Sequence, residues 1–152
     1  MTIDYLMHWL SNWGLIVPII CVLLTRDKKI ILRGVVAVIL TFCITDVLKI
    51  IIARPRPTAS SSSWFLSTPA DIYSFPSKHA STAFSLATSV ILHKKVLGLI
   101  AAVFAVLISV SRFYLGAHYW SDIIAGAILG IIISYSTDKA ANYFERSGKK
   151  KK

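Results

Sequence analysis

Three groups of ionisable residues interrupt an otherwise apolar chain of 152 residues: Lys49 and, after six intervening residues, Arg56-Pro57; Pro76-Ser77-Lys78-His79; and Ser111-Arg112 with His118 and Asp122. A charge beside hydrocarbon is costly, so each of these groups is a candidate for function. Lys49, Arg56 and Arg112 supply positive charge, and Pro76 and Ser77 stand where a helix begins, with free amides that attract anions. Phosphate suits this inventory, because Arg offers a planar pair of donors and Lys a point charge. His118 and Asp122 are four positions apart, so on a helix they share a face. The carboxylate then accepts a hydrogen bond from one ring nitrogen and leaves the other bare to attack phosphorus. His79, on a different helix, is available to protonate the departing oxygen.

The elements that position these groups are membrane-spanning. The chain is 55% hydrophobic, with a mean hydropathy of +0.66, and its apolar runs are too long and numerous for a soluble core of this size. A helix needs about 20 residues to cross the hydrocarbon layer. Five stretches qualify with frayed ends: Leu6 to Leu24, Ile30 to Ala53, Ser77 to Leu92, Val96 to Leu115 and Tyr119 to Thr137. The fold expected is all-α, a polytopic transmembrane bundle of about five helices, with residues 1–152 as one domain, the clusters within 49–122 and a basic tail over 138–152. No basic segment with a cleavage site precedes the first span, which is expected to insert as an anchor. Cys21 and Cys43 fall within spans and read as packing residues. Gly126 and Gly130 permit close helix approach, within the bundle in preference to a dimer.

Charge distribution sets the expected orientation. Of seventeen Lys and Arg residues, twelve lie in the regions around Arg26–Arg33, Lys94-Lys95 and Lys139–Lys152. With five crossings these share one side, which the positive-inside rule makes cytoplasmic. The amino terminus and the three clusters then face outward, together with Trp9, Trp13, Trp64 and Trp120 as interfacial anchors. The net charge of +10 is accounted for by this bias and by a solvated tail near anionic lipids, with no nucleic-acid partner expected. The one long polar connection, Arg54 to Phe75, holds Pro55, Pro57, Pro69 and Ser60 to Ser63, which exclude a regular helix. Its Trp64-Phe65-Leu66 reads as a lid or as an ordinary aromatic contact with the bilayer.

In order and spacing the three clusters resemble the signature of the type 2 phosphatidic acid phosphatase (PAP2) superfamily: Lys-x6-Arg-Pro, Pro-Ser-Gly-His and Ser-Arg-x5-His-x3-Asp. Ten of its eleven positions match between Lys49 and Asp122. The resemblance implies a metal-independent membrane lipid phosphatase without a cofactor. In it His118 forms a phosphohistidine, Asp122 orients that ring, and His79 acts as acid and then as base for water. Lys49, Arg56, Ser77 and Arg112 hold the phosphoryl oxygens. The chain departs from the pattern at Lys78, which replaces Gly; its ammonium either meets a second phosphate or neighbouring anion or snorkels to the headgroups. The chain also appears one helix shorter than six-helix members. By the same resemblance the substrate is a lipid phosphate, with lipid A 1-phosphate and phosphatidylglycerophosphate ahead of undecaprenyl pyrophosphate. A transporter that binds phosphate without cleaving it lacks its expected paired, broken helices at the midplane, and a non-catalytic scaffold would not require two histidines and an orienting carboxylate.

The remaining ionisable residues are less informative. Asp46, three residues before Lys49, either orients it or forms a plain internal ion pair. His93 reads as a turn residue and His8 as interfacial, while Arg54 and Asp71 lie in the long loop within reach of a headgroup.

Overall fold

A helix-breaking pair sets the first feature of the bundle. Gly14 follows α1 (Ile3–Trp13), and Pro18 lies in the first turn of α2 (Ile16–Leu24). Proline has no amide to donate back and is tolerated only at the start of a helix. The single span expected over Leu6 to Leu24 is therefore two helices bent by 49°. The computed structural model describes residues 2–58 and 69–150, so Trp64-Phe65-Leu66, read as a lid or bilayer contact, lies outside the described residues. The remaining helices are α3 (Lys28–Ile52), α4 (Lys78–Ile91), α5 (Lys95–Tyr114) and α6 (Trp120–Lys150), with a 3₁₀ turn at Pro69–Ile72. No strand occurs among the described residues.

Local chemistry fixes the helix ends nearest the clusters. Asp27 caps α3, its side chain accepting a hydrogen bond from the Lys29 amide at 2.8 Å, which satisfies one of the free amides of the first turn. At the other end Ala53 adopts the left-handed conformation, φ 48°. Arg54 precedes Pro55 and is thereby kept out of the helical region, so the helix stops there. Ser77 is the N-cap residue of α4, but its hydroxyl makes no capping bond.

Helix α4 runs through the middle of the bundle, packed against α2, α3, α5 and α6. Its buried face is built from small residues, among them Ala80, Ser81, Ala83, Ser85, Ala87 and Ser89. Those residues let α6 come close: a Cβ on Gly126 would stand 2.6 Å from the Ser77 carbonyl oxygen, and one on Gly130 2.1 Å from that of Ser81. Both glycines thus serve packing within the chain. Hydroxyls bond across the same interior, with Thr41 donating to Ser85 at 3.2 Å and Thr45 paired with Ser81 at 3.1 Å. Outward, α3, α5 and α6 present Leu32, Val35, Ile39, Val103, Leu107, Ile124 and Ile128. Small polar residues inside and large apolar residues outside are what a hydrocarbon solvent selects.

Helices α3, α5 and α6 are each long and apolar enough to cross a membrane, and the bent α1–α2 pair is long and apolar enough only when its two helices are taken as one span. Helix α4, expected as a further span over Ser77 to Leu92, has 14 residues. Its length of roughly 21 Å is short of the hydrocarbon thickness. Helix α6 runs past the expected end at Thr137 to Lys150. There Arg33 of α3 binds Asp138 at 2.7 Å and Glu145 at 2.9 Å, Lys29 binds Glu145 at 3.0 Å, and His93 binds Asp138 at 2.8 Å. The first part of the basic tail expected over 138–152 is thus, through Glu145, a helix clamped to the start of α3. The protein is an integral membrane helical bundle.

Candidate active site

The three clusters meet at the end of the bundle opposite that clamp. Lys49, in the last turn of α3, is 0% exposed and donates to the Tyr73 carbonyl at 2.6 Å. The strand-like entry to α4 is tied to the exit of α3, since the Ser74 amide donates to the Arg54 carbonyl at 2.8 Å and the Ser74 hydroxyl to that of Pro55 at 3.0 Å. The Ser77 amide donates to the Asp122 carbonyl at 2.9 Å, which fixes the start of α4 against the first turn of α6. The Ser77 hydroxyl, fully buried, has no hydrogen-bond partner among the described residues. A buried polar atom left unsatisfied requires an explanation.

His118 does not share a helix with Asp122, as the spacing predicts; it lies in the loop between α5 and α6, and Asp122 lies in the first turn of α6. The two still face each other, with Nδ1 3.6 Å from Oδ2. This separation is beyond hydrogen-bond length, and Nδ1 is without a partner at that distance; such contacts commonly tighten when substrate binds. The ring is 2% exposed, and its Nε2 stands 3.4 Å from Nη1 of Arg56, which also donates to the Ala117 carbonyl at 3.0 Å. A guanidinium has only donors, so the nitrogen facing it carries the lone pair. The proton then belongs on Nδ1, toward Asp122. His118 lies outside the spanning helices, and burial, foremost, lowers its pKa to about 4; Asp122 opposes the shift, while Arg112, Arg56 and Lys49 reinforce it. The imidazole is therefore neutral at neutral pH, as a nucleophile must be.

Asp122 is fully buried and held on both oxygens. Oδ2 accepts from the Tyr119 amide at 2.9 Å, and Oδ1 from Nη1 of Arg54 at 2.8 Å. Arg54 also donates to the Ser121 hydroxyl at 2.6 Å and stacks over the Tyr119 ring at 4.0 Å. It was expected beside a headgroup, and it instead secures the carboxylate. That partnership has one antecedent in the sequence: an acid inside an apolar helix requires a cation. Side-chain placement for Asp71 lies outside the described residues.

Arg112, at the end of α5, is buried and donates to the Ser11 hydroxyl of α1, a contact with no signal in the sequence. His79 lies in the first turn of α4, within electrostatic reach of Arg112, His118, Arg56 and Lys78. Lys78 neither snorkels nor stands in the open: it is 8% exposed, its Nζ lies 2.7 Å from Oδ1 of Asp46, and it covers the Phe42 ring at 4.3 Å. Asp46, expected either to orient Lys49 or to form a plain internal ion pair, forms an ion pair with Lys78. Among the described residues, no three of His, Cys, Asp and Glu gather as they would around a metal ion.

Residues 31–145 match the model of the PAP2 superfamily. The chain belongs to that superfamily. An undecaprenyl-diphosphatase of Sulfolobus acidocaldarius is 33% identical over 141 residues, which cover 88% of this chain and 68% of the relative. The undecaprenyl-diphosphatase BcrC of Bacillus subtilis is 25% identical over 111 residues, covering 73% of this chain and 58% of the relative. Among solved structures, LpxE of Aquifex aeolicus superposes with a TM-score of 0.72 at 26% identity, covering 90% of this chain and 85% of the other. As a PAP2 member whose relatives are phosphatases, the chain is a membrane phosphatase. The matched segment begins in α3 and so includes every residue of the three clusters.

Proposed function

We propose that the protein removes phosphate from a lipid headgroup by way of a phosphohistidine on His118, without a metal ion. The observation that carries this reading is the juxtaposition of Arg56 Nη1 and His118 Nε2 at 3.4 Å. The guanidinium faces the Nε2 lone pair, so a phosphoryl group that enters between them meets a donor for its oxygens and a nucleophile for its phosphorus. Lys49, Arg56 and Arg112 neutralise its oxygens, and the unpartnered Ser77 hydroxyl at the start of α4 donates to one of them. Nε2 of His118 attacks phosphorus while His79 delivers a proton to the leaving oxygen. His79 then takes a proton from the water that cleaves the nitrogen–phosphorus bond. Asp122 holds the Nδ1 proton through both steps, and Arg54 acts through Asp122 as a positioning residue.

Candidate substrates are lipid A 1-phosphate, phosphatidylglycerophosphate and undecaprenyl pyrophosphate. The named activity of the two undecaprenyl-diphosphatase relatives sets the last of these level with the others. Purified protein in detergent with a chelator present is expected to release phosphate from at least one of the three, and His118→Ala to abolish that release and any acid-labile phosphoenzyme. An unimpaired His118→Ala enzyme, or activity lost on chelation, refutes the reading.

The active site is proposed to face outward, at the periplasmic side of a bacterial-type inner membrane, with the α6 end in the cytoplasm. The charge bias supports this: Arg26, Lys28, Lys29, Arg33, Lys94, Lys95, Lys139 and Arg146 flank the clamp end of the bundle. A reporter fused after Lys152 is expected to register cytoplasm, and a periplasmic signal from it would reverse the assignment.

A further inference from the structure

A second feature adjoins the proposed phosphate cradle. Between α2, α3 and α4 lies an apolar groove of about 390 Å³, walled by Val22 of α2, Val38 and Phe42 of α3 and Leu86 of α4 and open to the outer face of the bundle beside Val35 and Ile39. Among the described residues, its only charged or ionisable lining residues are Lys78 and His79, both at the α4 start. Along α3 the lining runs from Ile31 to Phe42, a length of roughly 16 Å at helical rise. The space is therefore elongated, and its volume is near the lower end for ligand sites. Such a shape takes one hydrocarbon chain lengthwise. Its occupant must be apolar over most of its length and anionic at the end that meets Lys78 and the proposed proton donor.

The position of Lys78 narrows the headgroup. An ion pair withdrawn from water contributes little net stability, so the pairing of Lys78 with Asp46 at 2.7 Å is not explained by folding alone. The ammonium has three donors, and a ligand phosphate at the α4 start would compete for them with Asp46. His79 borders the groove, so the group that departs from phosphorus departs on this side. For a phosphate monoester the departing group is an uncharged alcohol and has no use for a cation. For a diphosphate it is a second phosphate, whose developing charge a neighbouring ammonium stabilises.

Resting on the phosphatase reading above, we propose that the α2–α3–α4 groove holds the hydrocarbon of a single-chain lipid diphosphate and that Lys78 is a specificity-determining residue that binds its leaving phosphate. In that reaction His118 Nε2 bonds to the terminal phosphorus, and the bond from that phosphorus to the bridging oxygen breaks with its electron pair left on oxygen. His79 supplies the proton, a lipid monophosphate departs, and water then releases inorganic phosphate from His118 while returning a proton to His79. The bilayer is as apolar as the groove, so the groove serves to align the chain with the site more than to attract it.

The test compares kcat/KM in detergent for farnesyl diphosphate, farnesyl monophosphate and dimethylallyl diphosphate. In Lys78→Gln, and in the charge-matched Asp46→Asn/Lys78→Gln pair, the preference for farnesyl diphosphate over farnesyl monophosphate is expected to fall by about tenfold to a hundredfold, the worth of one charge-assisted hydrogen bond. In Val38→Trp, which fills the groove, the preference for farnesyl over dimethylallyl diphosphate is expected to fall by about tenfold. Preferences unchanged within twofold in active variants overturn the inference and leave the phosphatase reading intact. Wild-type protein that releases phosphate from none of the three esters, nor from the lipids named above, overturns the phosphatase reading itself.

Discussion

Gly126→Ala tests whether the close approach of α4 and α6 positions the site. The added Cβ would stand 2.6 Å from the Ser77 carbonyl oxygen and 3.3 Å from both the Ser77 nitrogen and the Ala80 Cβ. Ordinary contact begins at 3.4 Å, so the helices must separate locally by roughly 0.8 Å. Because the nearest obstacle is backbone, no side-chain rotation relieves it. The displaced residue is the one whose amide donates to the Asp122 carbonyl at 2.9 Å, so the start of α4 shifts relative to Asp122 and His118. A misplacement of about 1 Å in a reacting constellation costs on the order of a hundredfold in rate, while overpacking costs about 1–3 kcal/mol of stability. The expected result is a folded protein with a modestly lower melting temperature in detergent and kcat down by roughly a hundredfold. Gly148→Ala, with nothing within 4 Å of the new Cβ, serves as the control and should match wild type. A Gly126→Ala protein with wild-type turnover would refute the reasoning.

Three further outcomes are expected. Arg54→Gln removes the 2.8 Å bond to Asp122 and should lower kcat by about tenfold to a hundredfold, with partial recovery in Arg54→Lys; equal loss in both variants would show that charge at this position does not act through the carboxylate. Arg33→Ala removes one cation from Asp138 and Glu145, which keep His93 and Lys29, and should lower the melting temperature modestly with kcat retained; a marked loss of kcat in folded protein would contradict the separation of clamp and site. His118 has its pKa lowered from the ordinary 6.5 to about 4, chiefly by burial. The unfolded chain then binds its proton first, so stability declines as pH falls from about 6.5 toward 4. His118→Gln should flatten that part of the melting-temperature profile in detergent, and an unchanged slope would count against a buried neutral imidazole.

The convergence of the clusters was legible because buried charge is expensive: Lys49, Arg112 and Asp122 are each buried in the bundle, and only mutual company makes that tolerable. Which partner each would take was not legible, since it depends on helix rotation. Asp46 is three residues from Lys49 yet pairs with Lys78, and Arg54 turns inward to Asp122. The chemistry-bearing pattern Ser77-Lys78-His79 placed the start of α4 correctly, but hydropathy overstated its reach as a span, because its Ala and Ser face is buried by neighbouring helices and not by lipid. The break between α1 and α2 was written in Gly14 and Pro18, and a continuous apolar run masked it. The extension of α6 was obscured by its charges, which read as solvated. Their spacing at Asp138, Asn142 and Glu145 puts them on one helical face, opposite the cations of α3.

The Asp122 residue ties three separate parts of the chain: its carbonyl receives the Ser77 amide, one carboxylate oxygen receives Arg54 and the other the Tyr119 amide. During biogenesis α6 follows α3 and α4 out of the ribosome. Until it enters the bilayer and seats beside α4, the exit of α3 and the start of α4 are joined only through Ser74, and Ser77 and Arg54 lack their partner in Asp122. A nascent chain in which α6 has yet to dock is thus expected to be chemically silent.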